Sequence, residues 1–438
     1  MNERDERIVG VGPRGDAGAQ RGGGTSERSE VGQRFPAGDP VTAAELLAAV
    51  RAAPTGGPLT VGDDRVVEFL VAFARRLLRP AVARRYPELA SLGFFLRRGE
   101  LAAALARVAE EPGHLRFPRG LVFHVPPANV DTIFVYSWAL AALAGNANVV
   151  RISSRSAGAA DAVLDALNET LADAHPAVRQ TQRMVTYGRD DAVTGVLSAA
   201  ADLRVIWGGD ASVGDLRRHP LAPHARDVTF PDRSSFAVID VAGWWAADEA
   251  RRDAVAVGLY NDAYWFDQAA CSSPRAVYWV GTVRETPDAQ ADLLARLRRV
   301  LDDRRPEVDA AMAVQKRVAT YGLALTGVAT GVRFDGNDLA TVDLADPADL
   351  PRRWLGVGTF PQARVDTLAD VAPVVVRRDQ TVTHFGFDPA QLVAFARAVG
   401  GAGIDRLVPI GEALTFAAVW DGFDLLREFT RITTITTR

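Results

Sequence analysis

The sequence predicts an α/β protein built from two units, each a parallel sheet with helices on both faces. Three observations carry this. Short apolar runs of strand length alternate with helical runs between about residue 120 and residue 219. A second alternation of the same kind starts near Thr229. The chain has 438 residues, which at about 150 residues per domain suggests two or three domains.

The elements follow in order. Residues 1–40 are rich in Gly, Arg, Glu and Ser and lack apolar periodicity, so they are expected to be a disordered tail. From Val41 the pattern turns helical, with TAAELLAAV, RVVEFLVAFARRLL and LAAALARVAE. GLVFHV (120–125) then reads as a strand and TIFVYSWALAAL as a helix. NVVRIS, MVTYG and LRVIWG read as strands, separated by the helical runs AADAVLDALNETLADA and AVTGVLSAA and followed by SVGDLRRH. In the second block SFAVID and RAVYWVG read as strands. DEARRDAVAVGLYNDAYW and DAQADLLARLRRVLDD read as helices. The end, RITTITTR, is β-branched and reads as a strand that must find a partner. The expected units are 41–228 and 229–400, with 401–438 packing back and ending in an intersubunit strand.

Composition excludes several classes. Hydrophobic residues make up 48% and charged residues 24%, which is ordinary for a globular chain. A net charge of −4 offers no electrostatic basis for nucleic-acid binding. The longest apolar stretch, Thr132 to Gly145, is too short for a bilayer, which needs about 20 residues, and reads as a buried helix. No signal-peptide pattern opens the chain. One cysteine, Cys271, forbids an intrachain disulfide or a multi-cysteine metal site and points to a reducing, cytoplasmic setting.

Four features could carry chemistry, each with a plainer reading beside it. Cys271, in QAACSSPRAVYWVG, lies between a helix and a strand; it is a nucleophile or an inert buried thiol. Asn129, in VPPANVDT, follows the first parallel strand. Its amide could donate to a developing oxyanion, or it is a turn residue. Gly209 and Gly214, in WGGDASVGDLR, stand between a strand and a helix. Backbone N–H groups there could face a pyrophosphate, although any tight strand-to-helix turn uses glycine. Arg151, Ser153, Ser154 and Arg155 sit at a strand's carboxyl end, where they suit an adenosine 2′-phosphate or a solvated loop. Neither a G-x-G-x-x-G fingerprint nor a Walker lysine is present. The arginine-rich RRLLRPAVARRY (75–86) could meet a carrier protein or CoA phosphates, or be a solvated helix face.

The order of these features resembles the aldehyde dehydrogenase superfamily. FHVPPANVDTIFVYSWALAALAGNANVVRISSRS, VIWGGDASVGDLRRHPLAP, FDQAACSSPRAVYWV and GIDRLVPIGEALTFAAVWDGFDLL are similar to four blocks of one branch, the acyl-CoA reductases of the bioluminescence (LuxC) type. The resemblance covers about residues 60 to 430. It implies an aldehyde-dehydrogenase-like fold with a Rossmann-type cofactor domain and an α/β catalytic domain. Cys271 would be the nucleophile that takes the acyl group from a thioester. Asn129 and the Cys271 backbone N–H would form the oxyanion hole. Gly209, with Asp210 and Val213 at the start of the next helix, would face the dinucleotide. Arg151 stands where dehydrogenases usually carry a lysine that reaches the adenosine ribose, and Ser154 where NAD-preferring relatives often carry a glutamate. The implied reaction is NADPH-dependent reduction of an acyl-CoA or carrier-bound acyl thioester to an aldehyde, by a homo-oligomer without bound metal. The same residues would serve a CoA-acylating aldehyde dehydrogenase working oxidatively. A non-catalytic scaffold for an acyl-protein is the reading from another class. Two departures stand out. Thr229 occupies the place of the glutamate that activates water in hydrolytic dehydrogenases, which fits a reductase. The glutamate that often contacts the nicotinamide ribose has no counterpart near Trp354.

Overall fold

The structure, a computed structural model, describes residues 30–127, 133–154 and 158–437. The first unit contains strands β1 (Glu30–Phe35), β2 (Ala37–Thr42), β3 (His114–Pro118), β4 (Leu121–Val125), β5 (Ala147–Ile152), β6 (Gln182–Thr186), β7 (Leu203–Trp207) and β8 (Arg226–Phe230). Among the described residues, all except β3 join one sheet in the order β2-β1-β6-β5-β4-β7-β8. From β6 to β8 every neighbouring pair is parallel, while β1 runs antiparallel to both β2 and β6.

β4 and β7 are buried throughout, as strands covered on both faces must be. The helix Ile133–Leu143 has every side chain buried, the expected fate of a helix that is apolar all round. Its Trp138 packs edge-on against Phe35, Phe69 and Phe73, and its indole N–H donates to Gln182 Oε1 at 2.9 Å. The chain leaves β4 toward β5 on one side and returns as β7 on the other. The carboxyl ends of β4 and β7 therefore border the crevice where open α/β sheets bind ligands.

The second unit contains β9 (Ser234–Asp240), β10 (Pro274–Val280), β11 (Ala329–Asp335), β12 (Leu339–Leu344), β13 (Thr359–Val365), β14 (Asp379–Phe385) and β15 (Arg406–Pro409), in the sheet order β11-β12-β13-β10-β9-β14-β15. Only the β11–β12 pair is antiparallel. The chain then returns to the first unit through a short hairpin, β16 (Val419–Trp420) and β17 (Phe423–Asp424). Trp420, Leu425, Leu426 and Phe429 are buried in the first unit's core. The final strand β18 (Thr430–Thr434) pairs antiparallel with β3, so within this chain β3 is the partner of the β-branched terminus.

Three expected boundaries need correction. The expected tail of residues 1–40 overreaches: Glu30–Thr42 forms the β1–β2 hairpin on the edge of β6, with Val31 and Phe35 fully buried. Burying such a side chain contributes roughly 1.5–3 kcal/mol. That contribution is available only once β6 and the Trp138 helix exist, so local composition does not announce it; residues 1–29 lie outside the described residues. The 228/229 boundary also cuts through β8, because Thr229 and Phe230 pair with Ile206 and Trp207. Likewise β15 keeps residues 406–409 in the second sheet, past the expected limit at 400.

Candidate active site

Cys271 sits on the loop between the helix Glu249–Tyr264 and β10. Two consecutive non-glycine residues on this loop, Asp267 (φ 51°) and Gln268 (φ 59°), adopt left-handed backbone. Such conformations cost on the order of 1–3 kcal/mol each and persist where the surroundings over-determine them. Here they do. The Gln268 side chain donates to Pro274 O at 2.8 Å and accepts from Thr359 N–H at 3.1 Å. Trp354 donates to Asp267 O at 2.8 Å, and Arg275 Nη2 donates to Ala269 O at 3.1 Å. Ser235 Oγ donates to the Cys271 carbonyl at 2.7 Å and accepts from Thr381 N–H at 3.1 Å, which ties the loop to β9 and β14.

The loop faces a cavity of about 140 Å³ between the two units. Trp207, Gly208 and Gly209 from the end of β7 line it, with Phe230 at the end of β8 and Asp232 beyond it, Phe416 and Trp420 from the returning chain, and Pro127 just past β4. Trp207 and Phe230 stack with ring centroids 3.7 Å apart. Aromatic rings thus make up much of the wall, which suits an apolar ligand, with the charged side chains of Glu88, Asp232 and Arg275 also in the lining.

Burial in this setting pushes the Cys271 thiol up to about 12, and the Asp421 carboxylate pushes it the same way; Arg275 and Arg233 act in the opposite sense. The resting thiol is therefore protonated at neutral pH and needs a proton acceptor before it can attack.

The helix Asp210–Arg217 starts at the cavity, directly after Gly209, without a side-chain cap on its first N–H groups. A Cβ built on Gly209 would meet nothing within 4 Å. Open space over an uncapped first turn fits the approach of a phosphate. Asp210 also lies at this end, with its carboxylate turned to Arg378 at 3.2 Å and to the Asp232 N–H at 3.3 Å. Val213 is buried beneath the turn. Arg151, Ser153 and Ser154 lie at the carboxyl end of β5, outside the cavity lining. The Arg151 guanidinium covers the Tyr187 ring at 4.8 Å and donates to Gly188 O at 3.1 Å. Asn129 and Arg155 lie outside the described residues. Thr229 is absent from the cavity lining, and its hydroxyl accepts from Arg217 at 3.5 Å.

Thus the structure brings Cys271 and Gly209 to one cavity and keeps Arg151, Ser153 and Ser154 at a separate strand end. Sequence reasoning missed Arg275 and the aromatic wall from Phe416 and Trp420. The available signals were the Pro-Arg that follows CSS and the WDG in the C-terminal block.

The model of one family, acyl-CoA reductase (LuxC), matches residues 109–432. The chain belongs to the LuxC family. Among curated LuxC-like relatives, the long-chain acyl-protein thioester reductase of Photorhabdus luminescens is 26% identical over 326 residues, covering 73% of this chain and 63% of that protein. Long-chain acyl-protein thioester reductase 2 of Photobacterium leiognathi is 28% identical over 166 residues, covering 37% of this chain but 33% of its own length. The matched region therefore spans from a third to under two thirds of these relatives. In fold, this LuxC member is similar to a putative aldehyde dehydrogenase from Burkholderia cenocepacia, with a TM-score of 0.63, 16% identity and coverage of 93% and 95% of the two chains. Aldehyde dehydrogenase 21 from Physcomitrella patens gives a TM-score of 0.65 at 12% identity, covering 90% of each chain. The fold is aldehyde-dehydrogenase-like. No helix among the described residues is long and apolar enough to cross a membrane.

Proposed function

We propose that this protein reduces an acyl thioester to an aldehyde through an acyl group carried on Cys271. The observation that carries the reading is the placement of Cys271: the thiol lies on a strained, clamped loop, at an aromatic-walled cavity shared with the glycine turn of β7. Cys271 sulfur attacks the thioester carbonyl carbon, the C–S bond to the donor thiol breaks, and the acyl group stays on Cys271. Asn129 and the Cys271 backbone N–H steady the carbonyl oxygen. A bound nicotinamide cofactor supplies the hydride. The resulting thiohemiacetal on Cys271 collapses to aldehyde, and the sulfur recovers its proton. The names of the LuxC relatives point to a long-chain acyl group on a protein thioester as donor, in preference to acyl-CoA.

The test is intact-protein mass after incubation with acyl-CoA, acyl-carrier and other acyl-protein thioesters, with the nicotinamide cofactor withheld. One donor should leave an acyl increment that disappears, with release of aldehyde, when NADPH is added. No increment from any donor would overturn the reading.

Cofactor preference should rest on Arg151. Its cationic head sits at the end of β5 with no carboxylate in Arg151–Ser156, and it is already oriented by Tyr187 and Gly188. Replacing Arg151 with Gln should raise the KM for NADPH by about tenfold, the effect of losing roughly 1.4 kcal/mol, and leave that for NADH nearly unchanged. Equal effects on the two cofactors would show that Arg151 does not read the 2′-phosphate.

Assembly into a homo-oligomer should run through the β3–β18 ribbon. Neither outer edge has a partner strand among the described residues, and the ribbon and the residue after it expose Phe117, Ile432 and Ile435. Deleting residues 430–438 should lower the mass measured by light scattering or send the protein into aggregates. A monodisperse monomeric parent would refute this.

A further inference from the structure

One helix reaches both the nucleophile loop and the returning chain. The helix Glu249–Tyr264 runs into Trp265 and Phe266, which line the cavity, and on to Cys271. Near its end stands Asp262, 1% exposed, which no step of the reaction scheme uses. The Asp262 carboxylate accepts from the backbone N–H of Gly411 at 2.6 Å and from that of Ala413 at 3.0 Å. One helical turn earlier, Gly258 lies so close to the same segment that a Cβ there would stand 2.9 Å from Ile410 O. A buried carboxylate must be paired or hydrogen-bonded, and here its partners are N–H groups of a segment 149 residues further along the chain.

Arg406, at the start of β15, holds the same segment by its carbonyls. Its Nη1 donates to Ala413 O at 3.1 Å, and its Nη2 to Thr415 O at 3.1 Å and to Glu412 O at 3.4 Å. Its guanidinium also lies over the Trp420 ring at 4.5 Å. Residues 411–416 are thus gripped by a carboxylate on their N–H groups and a guanidinium on their carbonyls, both charge-assisted bonds. Leu414 and Phe416 of this segment line the cavity, and the Phe416 ring stacks on Tyr136 with centroids 5.1 Å apart.

We propose that residues 411–416 select the acyl group, with Leu414 and Phe416 against it and Asp262 and Arg406 as the positioning residues behind them. The inference rests on the acyl-transfer reading above. An apolar pocket discriminates chain length by the space it fills or leaves empty, and one methylene is worth about tenfold or more. That requires a wall that does not yield. Residues 411–416 belong to neither helix nor strand, so their own backbone supplies little stiffness. The holds from Asp262 and Arg406 supply it. The nucleophile is fixed by other groups, since Gln268, Arg275, Trp354 and Ser235 clamp its loop. Selection and chemistry therefore rest on separate side chains.

The experiment compares the parent with Phe416→Ala and Asp262→Asn. Each is assayed for kcat and KM with short, medium and long straight-chain acyl groups on the donor thiol that acylates the parent. The parent should show an optimum in chain length. Phe416→Ala removes part of the wall, so kcat/KM for chains longer than that optimum should rise about tenfold relative to the optimum itself. Asp262→Asn keeps the shape of the side chain but meets one of the two N–H groups with donors of its own. Its chain-length preference should flatten by about tenfold, through KM, with kcat within about twofold of the parent. Alkylation of Cys271 by iodoacetamide and equilibrium binding of NADPH should match the parent in Asp262→Asn. A uniform loss of kcat, alkylation and cofactor binding, with the shape of the profile kept, would show a merely structural role and overturn the assignment. A parental profile in either variant overturns it too. If Asp262→Asn does not fold, Arg406→Gln loosens the same segment and should flatten the profile likewise; a parental profile there overturns the proposal. If no thioester acylates the parent, the acyl-transfer reading fails, and selection is read by binding alone. Straight-chain alcohols of the same lengths are then titrated against the fluorescence of the cavity tryptophans. Equal affinity profiles in the parent and Phe416→Ala would overturn the present proposal as well.

Discussion

Cys271→Ala should form no aldehyde and take up no acyl mass from any thioester. Removing a covalent nucleophile costs on the order of 10⁶-fold in turnover, which places the variant at background. The chain offers no substitute, because Cys271 is its single cysteine. The fold should survive. The loop is held by Gln268, Arg275, Trp354 and Ser235, and none of the hydrogen bonds they make to it uses the thiol. Affinity for NADPH, measured by equilibrium titration, should therefore match the parent, which separates lost chemistry from lost structure. Aldehyde formation by Cys271→Ala at a tenth of the parental rate would end the acyl-cysteine mechanism.

Asn129→Ala should lower kcat by about 10²–10³-fold with little change in nicotinamide binding, the effect of losing one oxyanion donor. Pro127, just past β4, lines the same cavity as Cys271, and β4 ends at the crevice where the sheet order reverses. A side-chain amide two residues further on is the donor type that this position calls for. Single-turnover acylation of Cys271 should slow in proportion to kcat, because the tetrahedral oxyanion forms already in that step. Parental acylation rates in the variant would make Asn129 a turn residue.

The legible parts of this protein were those whose signal is local. Alternation of apolar strands with helical runs marked both sheets, and the apolar run after β4 marked a helix that proved wholly buried. Cys271 stood out through its place between a helix and a strand, and Gly209 through its place between a strand and a helix. The β1–β2 hairpin did not stand out. Its two apolar anchors, Val31 and Phe35, sit among glycine and polar residues and become strand positions only against β6 and Trp138.

The candidate site divides the same way. Sequence by itself determined the chemistry available: one thiol before a core strand and a glycine turn between a strand and a helix. These depend on residue type and on periods of two or about 3.6, which neighbours in the chain reveal. Only the tertiary structure decided which residues meet. It turned Thr229 toward Arg217, left Arg151, Ser153 and Ser154 at a strand end away from Cys271, and carried Trp420 back to the cavity that Cys271 lines. The physical reason is that burial and electrostatic shifts arise between segments far apart in sequence. A carboxylate in a turn looks solvated until the returning chain encloses it, and a thiol looks ordinary until the same enclosure raises the cost of its charge.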